Sequence, residues 1–441
     1  MSRPKTRLAA LATVAAVATS LAACSDGGAD GGALGSGDAV TIITSQAPWN
    51  PAYDAVIAAY EEETGVSVDV RAFPNDEVKT QMLNDAQSGN HAFDVYQVNE
   101  VDMAQFNDNG LLLPLTDVDS EFTLDPEVFT YDNLPYWNTE TGAFSEDGAL
   151  TSIPLMGNLQ IFIYRTDIYE DLGLEVPTTW DGVLENAEAV VDSDAARYGF
   201  VMRTQGVAGS PQVTYDFSGI LYGLGGSFFT EPGTDWTPSV DSPEAIEAAT
   251  MLRDLAATGP EESQTVGQAE AIATMLAGDA AQLDTVAAGA SAMNDESSSN
   301  VVGNVGFAPL PGSASPTGTW NLGIPADLPE DRQGPALDFI TWATSEAGME
   351  VFAENGGIPV RSDAFDAEGL SEQDSAYLDA VEQSAETAQG PMRYEFIGDF
   401  LNVTEPILAN IAAGEVTPED GMAQMQEELT AVIEEGEYPM G

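Results

Sequence analysis

The sequence predicts an α/β protein of two domains, and three observations carry the prediction. At 441 residues, 43% of them hydrophobic, the chain is long and apolar enough to fill two cores of ordinary size. Residues 39–98 read as β-α-β-α-β, the pattern of a largely parallel sheet with helices on both faces. Leu150–Trp180 then reads as a crossing between domains, made of extended segments, a short helix and turn signals.

The N-terminus differs in kind. Arg3, Lys5 and Arg7 precede an apolar run from Leu8 to Val17, and Leu21-Ala22-Ala23-Cys24 closes it, so residues 1–23 read as an export signal. The run is shorter than the roughly 20 apolar residues of a membrane span. The tetrapeptide L-A-A-C resembles a bacterial lipobox, which makes Cys24 the expected lipidation site and puts the mature protein on the outer face of the cell membrane. Residues 24–37, nearly all Gly, Ala, Ser and Asp after the cysteine, form a flexible tether. Cys24 is the chain's single cysteine, so no disulfide within the chain is expected.

After the tether, Ala39–Thr44 is a β-branched strand. Asn50 is expected to cap a helix with Pro51 at its first position; Tyr53, Val56, Ile57 and Tyr60 share one face and Gly65 stops it. Val66, Val68 and Val70 alternate as a second strand, Asn75–Ala86 is a second amphipathic helix, and Phe93–Val98 is a third strand. Ligands of such sheets sit beyond the carboxyl ends of the strands, here Ser45–Trp49 and Asn99-Glu100. Leu111–Leu115 is a buried run and Phe129–Trp137 an aromatic excursion.

Within the crossing, Ile153 is extended because proline follows it, Leu159–Tyr164 is a strand, and Arg165–Leu172 is a helix stopped by Gly173. Beyond it, helices are expected after Trp180 and over Phe217–Leu224, Ser242–Ala257 and Gln268–Ala277, with strands at Tyr198–Val201 and Ala280–Leu283. Asn304–Pro309 and Gly323–Pro325 are expected to return to the first sheet. Helices over Pro335–Thr344 and Glu346–Asn355 and an acidic helical tail complete the chain.

The formal net charge is -61. Without the signal, nine Lys and Arg face 73 Asp and Glu, and Lys79 is the one lysine left. Such a surface repels nucleic acid and anionic lipid, which excludes both as partners. It suits molar salt, where the Debye length falls to about 3 Å, so a saline habitat is expected. Catalytic signatures are sparse. His91 is the sole histidine, so neither a His- or Cys-based zinc site nor a Ser-His triad can be assembled. No Walker loop and no GxSxG occur. Asp117–Glu121 is spaced somewhat like a calcium loop, but Phe122 stands where the turn glycine belongs, and it reads as acidic surface. No metal and no cofactor is therefore expected. A glycosidase needs only two carboxylates, and 73 acids leave that alternative open although no pair stands out.

Five separated segments resemble the family 1 extracellular solute-binding proteins of ABC importers, the maltose-binding-protein class. They are the lipobox, IYRTDIYEDLGLEVPTTWDGV, EAIATMLAGDAAQ, TGTWNLGIPADLPE and ALDFITWATSEAGMEVFAENGGIPVRSDAF, in the family's order. The resemblance implies a two-lobed periplasmic-binding-protein fold of type II, each lobe a mostly parallel sheet flanked by helices, with hinge closure around a solute and delivery to a membrane permease by a monomeric receptor that is not an enzyme. Carried onto this chain, the first lobe is 38–152 plus 289–353, the second 155–283 plus 359–441, with hinges near 152–155, 283–288 and 354–359. One departure is Arg165-Thr166-Asp167, which replaces the lysine usual in the family's strand.

The family implies a carbohydrate or polyol ligand, which needs polar partners for hydroxyls and aromatic faces for C–H patches. Trp49 and Trp320 are the first stacking candidates, with Trp137 and Tyr222 behind them. Gln46, Asn99, Glu100, Asn158, Gln160 and Asn321 are the hydroxyl partners. Arg361 and Arg393, scarce cations in an acidic chain, serve either a ligand or a structural ion pair. Trp180, Trp236 and Trp342 read as core. A zwitterionic osmolyte held by an aromatic box is the other binding alternative.

Overall fold

The computed structural model describes residues 39–47, 49–365 and 372–441, so Cys24, the signal and the tether lie outside the described residues. Two main sheets organise the chain. In the first, the order of strands is Ser67–Phe73, Ala39–Ser45, Val95–Asn99, Trp320–Gly323 and Ile153–Met156. The first three run parallel, as the β-α-β-α-β pattern requires, and the last two join antiparallel. In the second, Gln160–Arg165 lies between Gln282–Val286 and Val305–Pro309, antiparallel to both. Parallel bridges Tyr198↔Ala280 and Val201↔Leu283 extend this sheet.

The second sheet corrects two expectations. Its named strands are antiparallel rather than mostly parallel, and Val305–Pro309 does not return to the first sheet. The chain goes back only with Trp320–Gly323, so the return passage is 310–319 instead of 283–288. The strand pattern of Val305–Pro309 carries no mark of which sheet edge it joins, and the long-range pairing with Ile161–Arg165 decided it.

Local signals are otherwise obeyed. Thr179, Ser242, Ser345 and Thr417 cap helices by accepting backbone N–H bonds from Gly182, Ala245, Gly348 and Asp420. Gly65 and Gly173 close helices in the left-handed region, with φ of 73° and 67°. Asn50 is an exception: it is the first helical residue rather than the cap, and its Nδ2 donates to the Ser45 carbonyl at 3.0 Å. The aromatic excursion forms a small sheet of Tyr136–Asn138, Ala143–Phe144 and Ala149–Leu150.

The acidic tail is three helices. Glu372–Ala385 packs on the Val305–Pro309 strand, while Ile397–Ala412 and Pro418–Glu435 pack on Pro243–Ala257. An aromatic core of Phe228, Phe229, Trp236, Tyr394, Phe396 and Phe400 lies in the same cluster as the last two helices and the second sheet's Phe162 and Val286. Trp180 is buried edge-on to Phe200, and Trp342 packs on Tyr60 while its Nε1 donates to Glu63. Among the described residues no helix is long and apolar enough to cross a membrane.

Candidate functional site

Three passages of chain that flank strands of the two sheets are bonded to one another: 157–159, 287–288 and 315–319. Gly157 donates its N–H to the Ile358 carbonyl at 3.1 Å. A β-carbon there would stand 2.4 Å from the Tyr131 hydroxyl and 2.7 Å from the Pro359 carbonyl, so only glycine permits this approach. Asn158 accepts from the Ala288 N–H at 3.1 Å, donates through Nδ2 to the Gly318 carbonyl at 3.4 Å, and takes the Gly318 N–H on its own carbonyl at 2.9 Å. It stitches the three passages together.

On the first sheet's side, Glu100 follows the Val95–Asn99 strand and is 1% exposed. Its carboxylate accepts from Thr317 Oγ1 at 2.5 Å, Thr319 N–H at 2.8 Å, Thr319 Oγ1 at 3.0 Å and Arg393 Nε at 2.6 Å. Arg393 also donates to the carbonyls of Tyr131 and Asp132. Thus a residue of the C-terminal segment is fastened to the excursion and to Glu100, with every charge answered.

On the second sheet's side, Asp216 is fully buried and accepts from the Arg203 backbone N–H and Nε, both at 2.6 Å, and from Gln160 Nε2 at 2.7 Å. Arg203 stacks over the Tyr215 ring at 4.4 Å, and the Tyr215 hydroxyl donates to the Pro316 carbonyl at 3.1 Å. Asp284, 1% exposed, belongs to the same cluster, yet neither of its oxygens has a hydrogen-bond partner. Burial, and then the Asp216 charge, push the Asp284 carboxyl well above the usual carboxylate range, with Arg203 opposing.

The residues proposed from sequence fall into distinct groups. Trp49 and Trp320 come together, ring centroids 5.6 Å apart at 49°, and the Trp49 indole N–H is buried without a partner. Asn321, fully buried, has a partnerless Oδ1. Gln160 points into the second sheet's polar cluster, where its Oε1 has no partner. Gln46 is exposed and donates to the Ala72 carbonyl at 3.3 Å, and Asn99 caps the following helix. Trp137 is buried against Phe144 within the excursion, centroids 5.0 Å apart, and Tyr222 donates to the Pro391 carbonyl at 3.3 Å. Arg361 is bound by Asp363 at 2.7 Å and Asp125 at 2.9 Å.

Arg203, Tyr215, Asp216, Asp284 and Tyr131 were not picked out from sequence. A signal existed for one of them: Arg203 follows the extended segment that ends at Val201, where the strand-end rule that selected Asn99 and Glu100 also applies, whereas Asp284 lies inside its strand.

The chain belongs to the bacterial extracellular solute-binding protein family, which its residues 44–350 match. Among curated proteins, a mannitol-binding protein of Pseudomonas aeruginosa is 26% identical over 64% of this chain and 63% of its own length. An erythritol/L-threitol-binding protein of Mycolicibacterium smegmatis is 23% identical over 79% of this chain and 76% of its own. Two solved structures share the fold. Maltose-bound MalE3 of T. maritima has a TM-score of 0.74 at 22% identity, covering 90% of this chain and 100% of that one. A solute-binding protein of Agrobacterium radiobacter K84 in complex with ribitol has a TM-score of 0.71 at 21% identity, covering 90% and 99%. The fold is therefore the two-lobed type II periplasmic-binding-protein architecture.

Proposed function

We propose that this protein is the extracytoplasmic receptor of an ABC importer and that it binds a neutral polyol or sugar where its lobes face one another. One observation carries the reading. Buried polar atoms without protein partners occur throughout the described residues, and those on the candidate residues and the clusters beside the passages are Trp49 Nε1, Tyr131 OH, Gln160 Oε1, both Asp284 oxygens and Asn321 Oδ1. A buried polar group left bare costs about 1–3 kcal/mol, and a polyhydroxylated solute supplies donors and acceptors for a set of this mixed kind. Trp49 and Trp320 offer an apolar face beside them. The relatives that bind mannitol and erythritol favour the same ligand class.

The lobes are taken as those expected from the sequence, with the second passage moved to 310–319, and hinge closure about these passages encloses the solute. The mature chain is held to the membrane by lipid on Cys24 and acts as a monomer. Its acidity suits a saline habitat, for which a melting temperature rising from low to molar salt is the expected result and a flat or falling one the contrary result.

The deciding experiment is a thermal-shift screen of the mature chain against alditols, mono- and disaccharides and betaines. A ligand at 100 times its Kd stabilises by about 2.7 kcal/mol. Shifts with betaines alone, or cleavage of an oligosaccharide during incubation, overturn the reading.

A further inference from the structure

We infer that Asp284 sets ligand specificity by accepting two adjacent hydroxyls of the solute, one on each carboxylate oxygen. The inference rests on the polyol reading above. Residues opposite one another in the second sheet share a face, so the pairs Val286↔Gln160 and Asp284↔Phe162 put Asp284 on the side of Gln160. Two residues after Asp284 its strand ends, and the chain enters the 287–288 passage that Asn158 and Leu159 bind. Asp284 thus stands just behind the meeting point of the lobes.

Burial and Asp216 disfavour the ionised form of Asp284 in the free protein, and two hydroxyl donors from the solute, which no protein group supplies, stabilise that acceptor-only form. The nearby guanidinium is turned toward other groups. Arg203 donates Nε to Asp216 at 2.6 Å and NH1 to Gln268 at 3.4 Å, its NH2 lies 2.5 Å from Asp216 as an ion pair without a hydrogen bond, and Tyr215 covers one face. These charges also select the ligand. The two aspartates oppose a ligand carboxylate, that of glycine betaine included, whereas uncharged hydroxyls meet no such opposition. The two oxygens of one carboxylate match two hydroxyls on neighbouring carbons, and Gln160 Oε1 offers a third acceptor on the same face. The substrate class is accordingly a neutral polyhydroxy compound with an intact vicinal diol at the end held by the second lobe.

The test is calorimetry on the signal-free chain with D-mannitol, ribitol, erythritol, maltose and glycine betaine, in wild type and Asp284→Asn, together with the ligand-free melting temperature of each. The expected result is an affinity loss of about 100-fold for the polyol in D284N. The ligand-free melting temperature of D284N is expected to equal or exceed that of wild type, because an unpartnered acidic group facing Asp216 has been replaced by a neutral amide. A structural Asp284 gives the reverse, a lower melting temperature at unchanged Kd, and overturns the inference. Equal affinity in both proteins overturns it and leaves the polyol reading intact, whereas wild type that binds no polyol or sugar overturns both. Single-deoxy analogues of the bound alditol test wild type alone. A loss of about 100-fold confined to one adjacent pair of hydroxyls supports the inference, and uniform small losses at every position overturn it.

Discussion

Two arginine–carboxylate clusters lie against the 315–319 passage, one through Thr317 and the other through Tyr215 to Pro316, and they differ in how they are completed. At Glu100 and Arg393 the charges balance one to one, and four donors fill the carboxylate. At Asp216, Arg203 and Asp284 a single guanidinium serves two buried carboxylates, and the surplus one is left bare. Equal burial with unequal completion separates a fastener from a recognition group. The first cluster ties the C-terminal segment to the excursion and the strand end, while the second keeps acceptors in reserve at a cost in stability that binding recovers.

The largest expected effect breaks the first cluster. Arg393→Met leaves Glu100 buried without its counter-charge and is expected to lower unfolding stability by about 3–5 kcal/mol in urea titration. A loss below 1 kcal/mol would mean that Glu100 is not a fastener. Next comes Asp216→Asn, which strips Arg203 of its charge partner but keeps an acceptor, with an expected loss of about 1–3 kcal/mol. If D216N and D284N proved equally destabilising, the contrast drawn between the two carboxylates would fail.

The smallest effect is in pH dependence. Because the folded-state value of Asp284 is raised, chiefly by burial, the unfolded chain releases this proton first as pH rises. The stabilising contribution is complete below about pH 4, the ordinary carboxyl range, and is lost as pH climbs through the raised folded value. Wild type is therefore expected to lose more stability than D284N between pH 4 and pH 7, while raised groups common to both, such as Glu405, slope alike in the two proteins. Parallel curves would remove Asp284 from the account.

Much of the fold was legible because its signals are local. Gly65 and Gly173 stop helices, Ser242 and Thr179 start them, and Val66, Val68 and Val70 alternate, each within a few residues. The site was legible where a candidate ends a predicted strand, as Trp49 does near the first. It was less legible where a side chain's use depends on a distant partner. Glu100 and Arg393 were both picked from sequence, but 293 positions separate them and nothing local pairs them.

What the sequence by itself determined is the α/β class, the likeness to a solute receptor, the acidic character and most element boundaries, since these follow from composition, periodicity and capping. What only the tertiary structure decided is the sheet that takes Val305–Pro309, the passage by which the chain returns, and which buried carboxylate stays unpaired. Those depend on which residues far apart in the chain share a sheet face, and a one-dimensional pattern specifies which face a residue takes without specifying what it meets there.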